Sequence, residues 1–385
     1  MLGSDPPTAA LPHRVRHAKT TVLLLAVIAA LVAPASVQAL PSAFFGIAPQ
    51  TELTERDAAY MKSGRIGAIR WPFNWATIQP SARGGYDWTG TDAAVEVAAR
   101  SGLTVLPFLY GTPRWVSHKP MTLPIDNARA RVAWRDFVSA AVQRYGPEGE
   151  FWNQHAPSTA AVNYVPAIPR PVPIRSWQIW NEANFFYFAY PVSPTRYARL
   201  LKLTHRAIKA VDPTAKTILS GLFGNPDESG RRGMDATKFL AGLYRVPGIK
   251  ADFDGVALHP YAFHVEDLEE LTEALRNVVI ENHDARTPLY ITEMGWGSQN
   301  DPNTVAFEQG LHGQARELRA AYRYLITHRH HLNLQGTYWY SWKDNPAYVA
   351  CNFCDSVGLF RAGRGFHPKP AWRAFVALTG GRARP

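Results

Sequence analysis

The chain has only two cysteines, Cys351 and Cys354, and they form one C-x-x-C. A zinc site would need two further ligands nearby, and a redox site would need a strand leading into a thioredoxin-like helix start; neither context is present. Also missing is a G-x-G-x-x-G after the first apolar run, which counts against an open dinucleotide-binding sheet. There is no internal repeat beyond an alternation of apolar runs and helical stretches. Basic residues outnumber acidic ones, 41 to 31, for a formal charge of +10. That excess is spread out, with small clusters at Arg231-Arg232 and at Arg382 and Arg384, and it lacks the dense basic-aromatic interleaving of a nucleic-acid binder. It reads as a solvated basic surface, and no nucleic-acid partner is expected.

Long apolar runs are scarce as well. The stretch from Thr21 to Ala33 is too short to cross a bilayer comfortably; Arg14, Arg16 and Lys19 precede it, and small residues from Ala35 to Ala39 follow. This order predicts a secretory signal over residues 1–39 rather than an anchor, and hence a secreted, extracellular protein with no stable membrane insertion after cleavage. Its removal takes Arg14, Arg16, Lys19 and Asp5 with it, so the +10 becomes +8. Outside the cytoplasm, Cys351 and Cys354 are expected to close a local disulfide that pins a loop.

What is present points to one large folded unit. A 46% hydrophobic and 19% charged composition describes a globular chain with a full core. Eight short apolar runs bounded by turn residues recur, near Phe45, Ile69, Leu106, Ile179, Leu219, Val256, Ile291 and Tyr338. Continuous apolar runs of this length suit parallel strands buried on both faces. Helical stretches separate them. One has Asp92 near its start and Gly102 past its end, and a second has Ser193 as N-cap before Pro194. A third keeps Leu311, Ala315, Leu318, Tyr322 and Leu325 at helical spacing. The expected fold is an α/β, single-domain (β/α)8 barrel over residues 40–380. A proline-rich excursion occupies 145–175, and residues 381–385 are expected to fray.

In such a barrel the active site collects at the C-terminal ends of the strands. The polar residues that end the apolar runs fall there: Arg70 in the second, Asn181 and Glu182 in the fourth, His259 and Tyr261 in the sixth, Glu293 in the seventh, and Trp339 with Trp342 in the eighth. Two carboxylates on opposite sides of an eight-stranded ring meet the needs of glycosidic bond cleavage, in which one donates a proton to the leaving oxygen and the other attacks or activates water.

Here the motifs carry a likeness. "WQIWNEAN" and "YITEMGWGS" resemble the fourth-strand and seventh-strand signatures of clan A glycoside hydrolases, usually W-N-E-P-N and T-E-x-G-W. "RWPFNWATIQPSARGGYDWTGTD", "LTVLPFLYGTPRW" and "LHPYA" are similar to the second, third and sixth strand segments. The likeness runs from Phe45 to Trp372 and is nearest to glycoside hydrolase families thirty-nine and five. It implies Glu182 as general acid/base, Asn181 as partner of the sugar 2-hydroxyl, and Glu293 as nucleophile. It further implies that Tyr261 and Arg70 hold Glu293 ionised, that Trp339 forms a sugar platform, and that His259 lines the same subsite. Ala183 departs from the usual proline and loosens a loop restraint, not a catalytic group.

Each of these residues also has a plainer reading. A single strand-end carboxylate can cap a helix, Arg70 can be a structural ion-pair partner, and His259 can be a satisfied core group. The "THRHH" run from Thr327 to His331 reads as a solvated helix end, without carboxylates at ligand spacing. Trp71, Trp75, Trp88, Trp115, Trp296 and Trp342 are core or platforms alike, with Trp296 and Trp342 placed for the cleft because they follow strand ends.

The expectation is a retaining glycosidase for β-linked oligo- or polysaccharides that needs no metal or organic cofactor, since acid, base and nucleophile are all side chains. A non-catalytic glycan-binding barrel and a transglycosidase with the same residues are the other readings. Sugar identity and endo or exo action depend on the 145–175 excursion and the segments after Gly224 and Trp296.

Overall fold

Each of the eight apolar runs forms a parallel strand in the computed structural model, which describes residues 40–227, 232–300, 307–348, 351 and 353–385. Residues 1–39, read above as a signal, lie outside the described residues. So do Arg231 and parts of the segments after Gly224 and Trp296, at 228–231 and 301–306. Among the described residues, no helix is long and apolar enough to cross a membrane.

The strands run Phe45–Ile47, Ala68–Asn74, Thr104–Tyr110, Ser176–Ile179, a fifth in two pieces at Lys216–Ile218 and Leu222–Phe223, then Val256–His259, Leu289–Met294 and Leu334–Trp339. Each pairs with its neighbours in chain order, and the eighth returns to the first through Gly46 opposite Tyr338. The two pieces of the fifth strand close the ring. The first piece pairs with the fourth strand and the second with the sixth, and Ile218 bridges to Gly255 between them. The fold is therefore a (β/α)8 barrel.

The strand period of two sorts the barrel interior into layers. Ala68, Leu106, Ile218, Ala257 and Tyr338, with Tyr290 against them, fill it with apolar side chains. Two residues further along, toward the C-terminal ends, four of these strands carry Arg70, Phe108, His259 and Thr292, and the fourth strand adds Gln178. The packed apolar layer is thus the floor on which a polar layer rests.

Helices surround the ring for the local reasons their sequences suggest. Pro194 opens the helix Pro194–Val211, and the Ser193 hydroxyl accepts from the Arg196 N–H at 3.3 Å. This helix is tied to the strand ends through Tyr197, whose hydroxyl donates to Ile179 O at 2.9 Å and accepts from Ser220 N at 2.8 Å. Thr89–Arg100 is followed by Gly102 at φ 71°, a left-handed position that suits glycine. Gly310–Thr327 buries Ala315, Leu318, Tyr322 and Leu325.

Two details differ from expectation. The excursion after Tyr145 contains a short helix, Glu150–Gln154, and its two ends meet where Ile174 N donates to Tyr145 O at 2.9 Å. The residues expected to fray are tied down: Arg382 N donates to Ser63 O at 2.6 Å and the Trp372 indole to Ala383 O at 3.0 Å. Terminal residues fray only where their backbone groups lack protein partners.

The first helix, Glu55–Ser63, is pinned to the chain after the eighth strand by Asp57. The Asp57 carboxylate accepts from the Trp342 indole at 2.8 Å and pairs with Lys343 at 2.7 Å, and both charged groups are buried. Burial alone would raise this carboxyl, but the hydrogen bonds from Lys343, Thr54 and Trp342 together hold it below the usual range. Its contribution to stability is therefore present above the carboxylate range and lost as pH falls through the folded value. Asp57→Ala strands Lys343 and the Trp342 N–H in the interior; it is expected to lower the unfolding free energy by about 3 kcal/mol in urea titration at pH 7.

Candidate active site

The fourth strand leaves the barrel through an unusual bend. Trp180 has φ 71° and Glu182 φ 38°, left-handed values uncommon for residues with a Cβ. Surrounding bonds hold the bend. The Trp180 indole donates to Phe188 O at 2.7 Å, and the Asn184 amide donates to Phe223 O at 2.7 Å and Met234 O at 2.8 Å while accepting from Phe223 N at 2.9 Å. Ala183 N donates to Ser220 Oγ at 3.4 Å. Proline at this position would have no N–H to give to Ser220.

Arg70 lies at the centre of the polar layer. Its Nε donates to Gln178 Oε1 at 2.6 Å, one terminal nitrogen donates to Asn181 Oδ1 at 2.7 Å, and the other is paired with Glu293 Oε1. The guanidinium rests over the Phe108 ring at 3.9 Å. Gln178 passes the network on, its amide donating to Leu219 O at 3.0 Å and Thr292 Oγ1 at 3.1 Å. Thr292 meets His259 Nε2 at 2.9 Å, and His259 Nδ1 meets Glu182 Oε1 at 2.8 Å. Gly221, between the two pieces of the fifth strand, is required here because a Cβ would collide with the His259 imidazole.

The two carboxyl groups thus have different surroundings. Glu293 receives Arg70 on one oxygen and the Tyr261 hydroxyl, at 2.8 Å, on the other. Among the described residues, Glu182 has no Lys or Arg in contact. Burial, followed by repulsion from Glu293, pushes its carboxyl well above the usual range despite the opposing pull of Arg70. Its neighbour His259 is driven well below the usual imidazole range, first by burial and then by Arg70, and is neutral. A protonated Glu182 can therefore donate to Nδ1, while an ionised one accepts from the other tautomer. Burial, then the Glu293 charge, keeps Tyr261 protonated as a donor.

Donor atoms of Glu182, His259 and Glu293 lie within 4.8 Å of one another. That set includes metal-ligand types, but the Arg70 guanidinium already supplies positive charge to Glu293 and opposes a second cation. What the arrangement can do without one is hold a proton on one carboxyl and negative charge on the other at close range.

The structure brings Arg70, Asn181, Glu182, His259, Tyr261 and Glu293 together. It does not bring the three tryptophans with them. Trp339 is 0% exposed with its indole on Val357 O at 3.1 Å, so its ring offers no open face. Trp296 is buried behind it with its indole on Phe263 O, and Trp342 is core, bonded to Asp57 and packed on Phe360. Each is enclosed because other segments of the chain cover it. Cys351 and Cys354 are joined in a disulfide.

Tyrosines, rather than those tryptophans, lie within electrostatic reach of the carboxyl groups. Tyr340, one residue past the eighth strand, feels the Glu293 charge, and Tyr348 feels both carboxylates. Tyr110, ending the third strand, is pushed up to about 12, chiefly by burial. Gln50, beyond the first strand, donates to the Tyr340 hydroxyl. Their strand-end positions were a usable signal for Tyr110, Tyr340 and Gln50; Tyr348 lies in a loop and carries none.

No family profile and no curated protein matches the chain. Solved structures do. A family 39 glycoside hydrolase from the gut symbiont Bacteroides cellulosilyticus superposes with a TM-score of 0.62 at 18% identity, covering 89% of this chain and 64% of that one. A family 39 β-xylosidase from Caulobacter crescentus gives 0.60 at 18%, covering 89% and 71%. An intracellular xylanase from Thermoanaerobacterium saccharolyticum gives 0.57 at 13%, covering 88% and 98%. The chain spans less than two thirds of the length of the first of these. At such identities the likeness establishes the class of fold: a (β/α)8 barrel of the kind these glycoside hydrolases share.

The raised Glu182 carboxyl has a consequence for stability. The unfolded chain releases this proton near the ordinary value of about 4.3, whereas the folded chain keeps it to higher pH, so stability falls as pH rises through that window. Glu182→Gln has no proton to lose. It is expected to melt above the wild type at pH 8 and close to it at pH 4; the same difference at both values would contradict the assignment.

Proposed function

We propose that this chain is a secreted retaining glycoside hydrolase that cleaves β-linked sugars in oligo- or polysaccharides. The observation that carries the reading is the close pair of unlike carboxyl groups, Glu182 raised by burial and Glu293 held between Arg70 and Tyr261, with donor atoms within 4.8 Å. Retaining enzymes need about 5 to 5.5 Å between the carboxyls, and inverting ones about 6.5 to 9.5 Å to admit a water.

In the first step Glu293 attacks the anomeric carbon as Glu182 gives its proton to the departing glycosidic oxygen. That bond breaks, and a glycosyl ester forms on Glu293. Ionised Glu182 then takes a proton from water, whose oxygen displaces Glu293 and restores the starting state. Arg70 and Tyr261 orient the Glu293 oxygens, while Asn181, anchored by Arg70, keeps its amide nitrogen available to a sugar hydroxyl. His259 accommodates either protonation state of Glu182. Similarity in fold to family 39 glycoside hydrolases and to a xylanase agrees with this reading. The signal-like residues 1–39 support export.

A panel of aryl β-glycosides and plant or bacterial polysaccharides tests the proposal. Glu182→Ala is expected to lower kcat/KM about 10²- to 10⁴-fold on substrates with poor leaving groups, and far less on a dinitrophenyl glycoside whose leaving group needs no proton, where the lost base shows instead as a fall in kcat. Glu293→Ala should be inactive on both. Proton NMR of the first product should show the β-anomer; an α-anomer would remove the nucleophile role, and a wild type inert on the whole panel would remove the enzyme reading. Adding a sugar acceptor separates hydrolysis from transfer.

A further inference from the structure

Tyr261 lies just beyond the end of the sixth strand, so the strand ladder does not fix its ring, yet its hydroxyl must stay on Glu293. Other aromatic rings supply the support. Phe353 meets it edge-to-face at 5.5 Å and 67°, and Tyr340 does so at 6.1 Å and 84°. Phe353 and Tyr261 are both nearly buried and form one cluster with Val357, against which Phe307, Tyr340 and Cys351 pack.

Phe353 sits inside the small loop closed by the Cys351–Cys354 disulfide. The same disulfide is within reach of the site, since the Tyr340 hydroxyl donates to Cys354 Sγ at 3.6 Å. On its C-terminal side the loop is anchored by Ser356. Its N–H donates to Phe353 O at 3.2 Å, its hydroxyl to Glu308 Oε1 at 2.6 Å, and its carbonyl accepts from buried Lys369 at 2.7 Å. On the N-terminal side, the disulfide closes the turn. A crosslink across so short a turn limits the positions open to the residue it encloses.

We propose that Phe353, presented by the Cys351–Cys354 loop, is a positioning residue that holds the Tyr261 hydroxyl on Glu293. This rests on the glycosidase reading. Through it, the state of a disulfide that takes no part in bond cleavage controls the geometry of the nucleophile. Reduction passes two electrons and two protons from a dithiol to Cys351 and Cys354, and the dithiol closes to its own disulfide. The turn opens and Phe353 is released.

The test is a double-mutant cycle on an aryl β-glycoside. Phe353→Ala is expected to lower kcat about ten-fold with KM within about two-fold, and to cause no further fall in a Tyr261→Phe background, where there is no hydroxyl to position. An unchanged kcat, or the same full fall in that background, overturns the proposal. Dithiothreitol on the folded wild type is a second arm free of any substitution at Phe353. The same fall in kcat is expected, with Cys351→Ser/Cys354→Ser already lowered and indifferent to the reductant. A wild type active and indifferent to reduction overturns this inference alone; a wild type inert on every glycoside overturns the glycosidase reading beneath it.

Discussion

A guanidinium buried inside a barrel is tolerable only if its donors are used, and Arg70 uses them on Gln178, Asn181 and Glu293. Much of the polar layer follows from that requirement. Gln178, turned to accept from Arg70, has its amide free for Leu219 O and Thr292; Thr292 in turn meets His259, and His259 meets Glu182. One cation thereby links strands two, four, six and seven. The apolar floor of Ala68, Leu106, Ile218, Ala257 and Tyr338 keeps this network above a dry, packed interior.

The difference between the two carboxyl groups comes from how Arg70 is shared. Its charge is in contact with Glu293 and reaches Glu182 only at a distance, so burial and like-charge repulsion prevail at Glu182. The neutral His259 beside Glu182 accommodates the proton without contributing charge, because burial, and then the same cation that supports Glu293, depresses the imidazole. The unlike surroundings of the two carboxyl groups are thus consequences of one asymmetric placement. The cost is borne by the fold, which must keep a carboxyl protonated above its ordinary range and hold Trp180 and Glu182 in left-handed backbone.

Much of this was legible residue by residue. The eight runs could be read because parallel strands buried on both faces leave continuous apolar stretches, and Arg70, Glu182, His259 and Glu293 stood out as polar residues where those stretches end. Ser193 and Gly102 marked helix boundaries through local chemistry. The tryptophans were another matter. Trp296, Trp339 and Trp342 have the strand-end positions of a sugar platform, yet Phe263, Val357 and Asp57, all distant in sequence or in another loop, enclose them. Tyr340 stands one residue from Trp339 and feels the Glu293 charge instead.

The terminal segment, Ala183 and Gly221 belong with the tryptophans. Nothing local says that Ser63 and Trp372 will hold residues 382 and 383, that Ser220 will need an N–H from residue 183, or that His259 will fill the space beside residue 221. By itself the sequence determined the strand count, the helix starts and which carboxyls reach the mouth of the barrel, because periodicity, capping and strand ends are properties of neighbours along the chain. Only the tertiary structure decided which rings are covered, which carboxyl keeps its proton and what steadies Tyr261, because exposure and electrostatic surroundings are set by groups that folding brings together from distant positions.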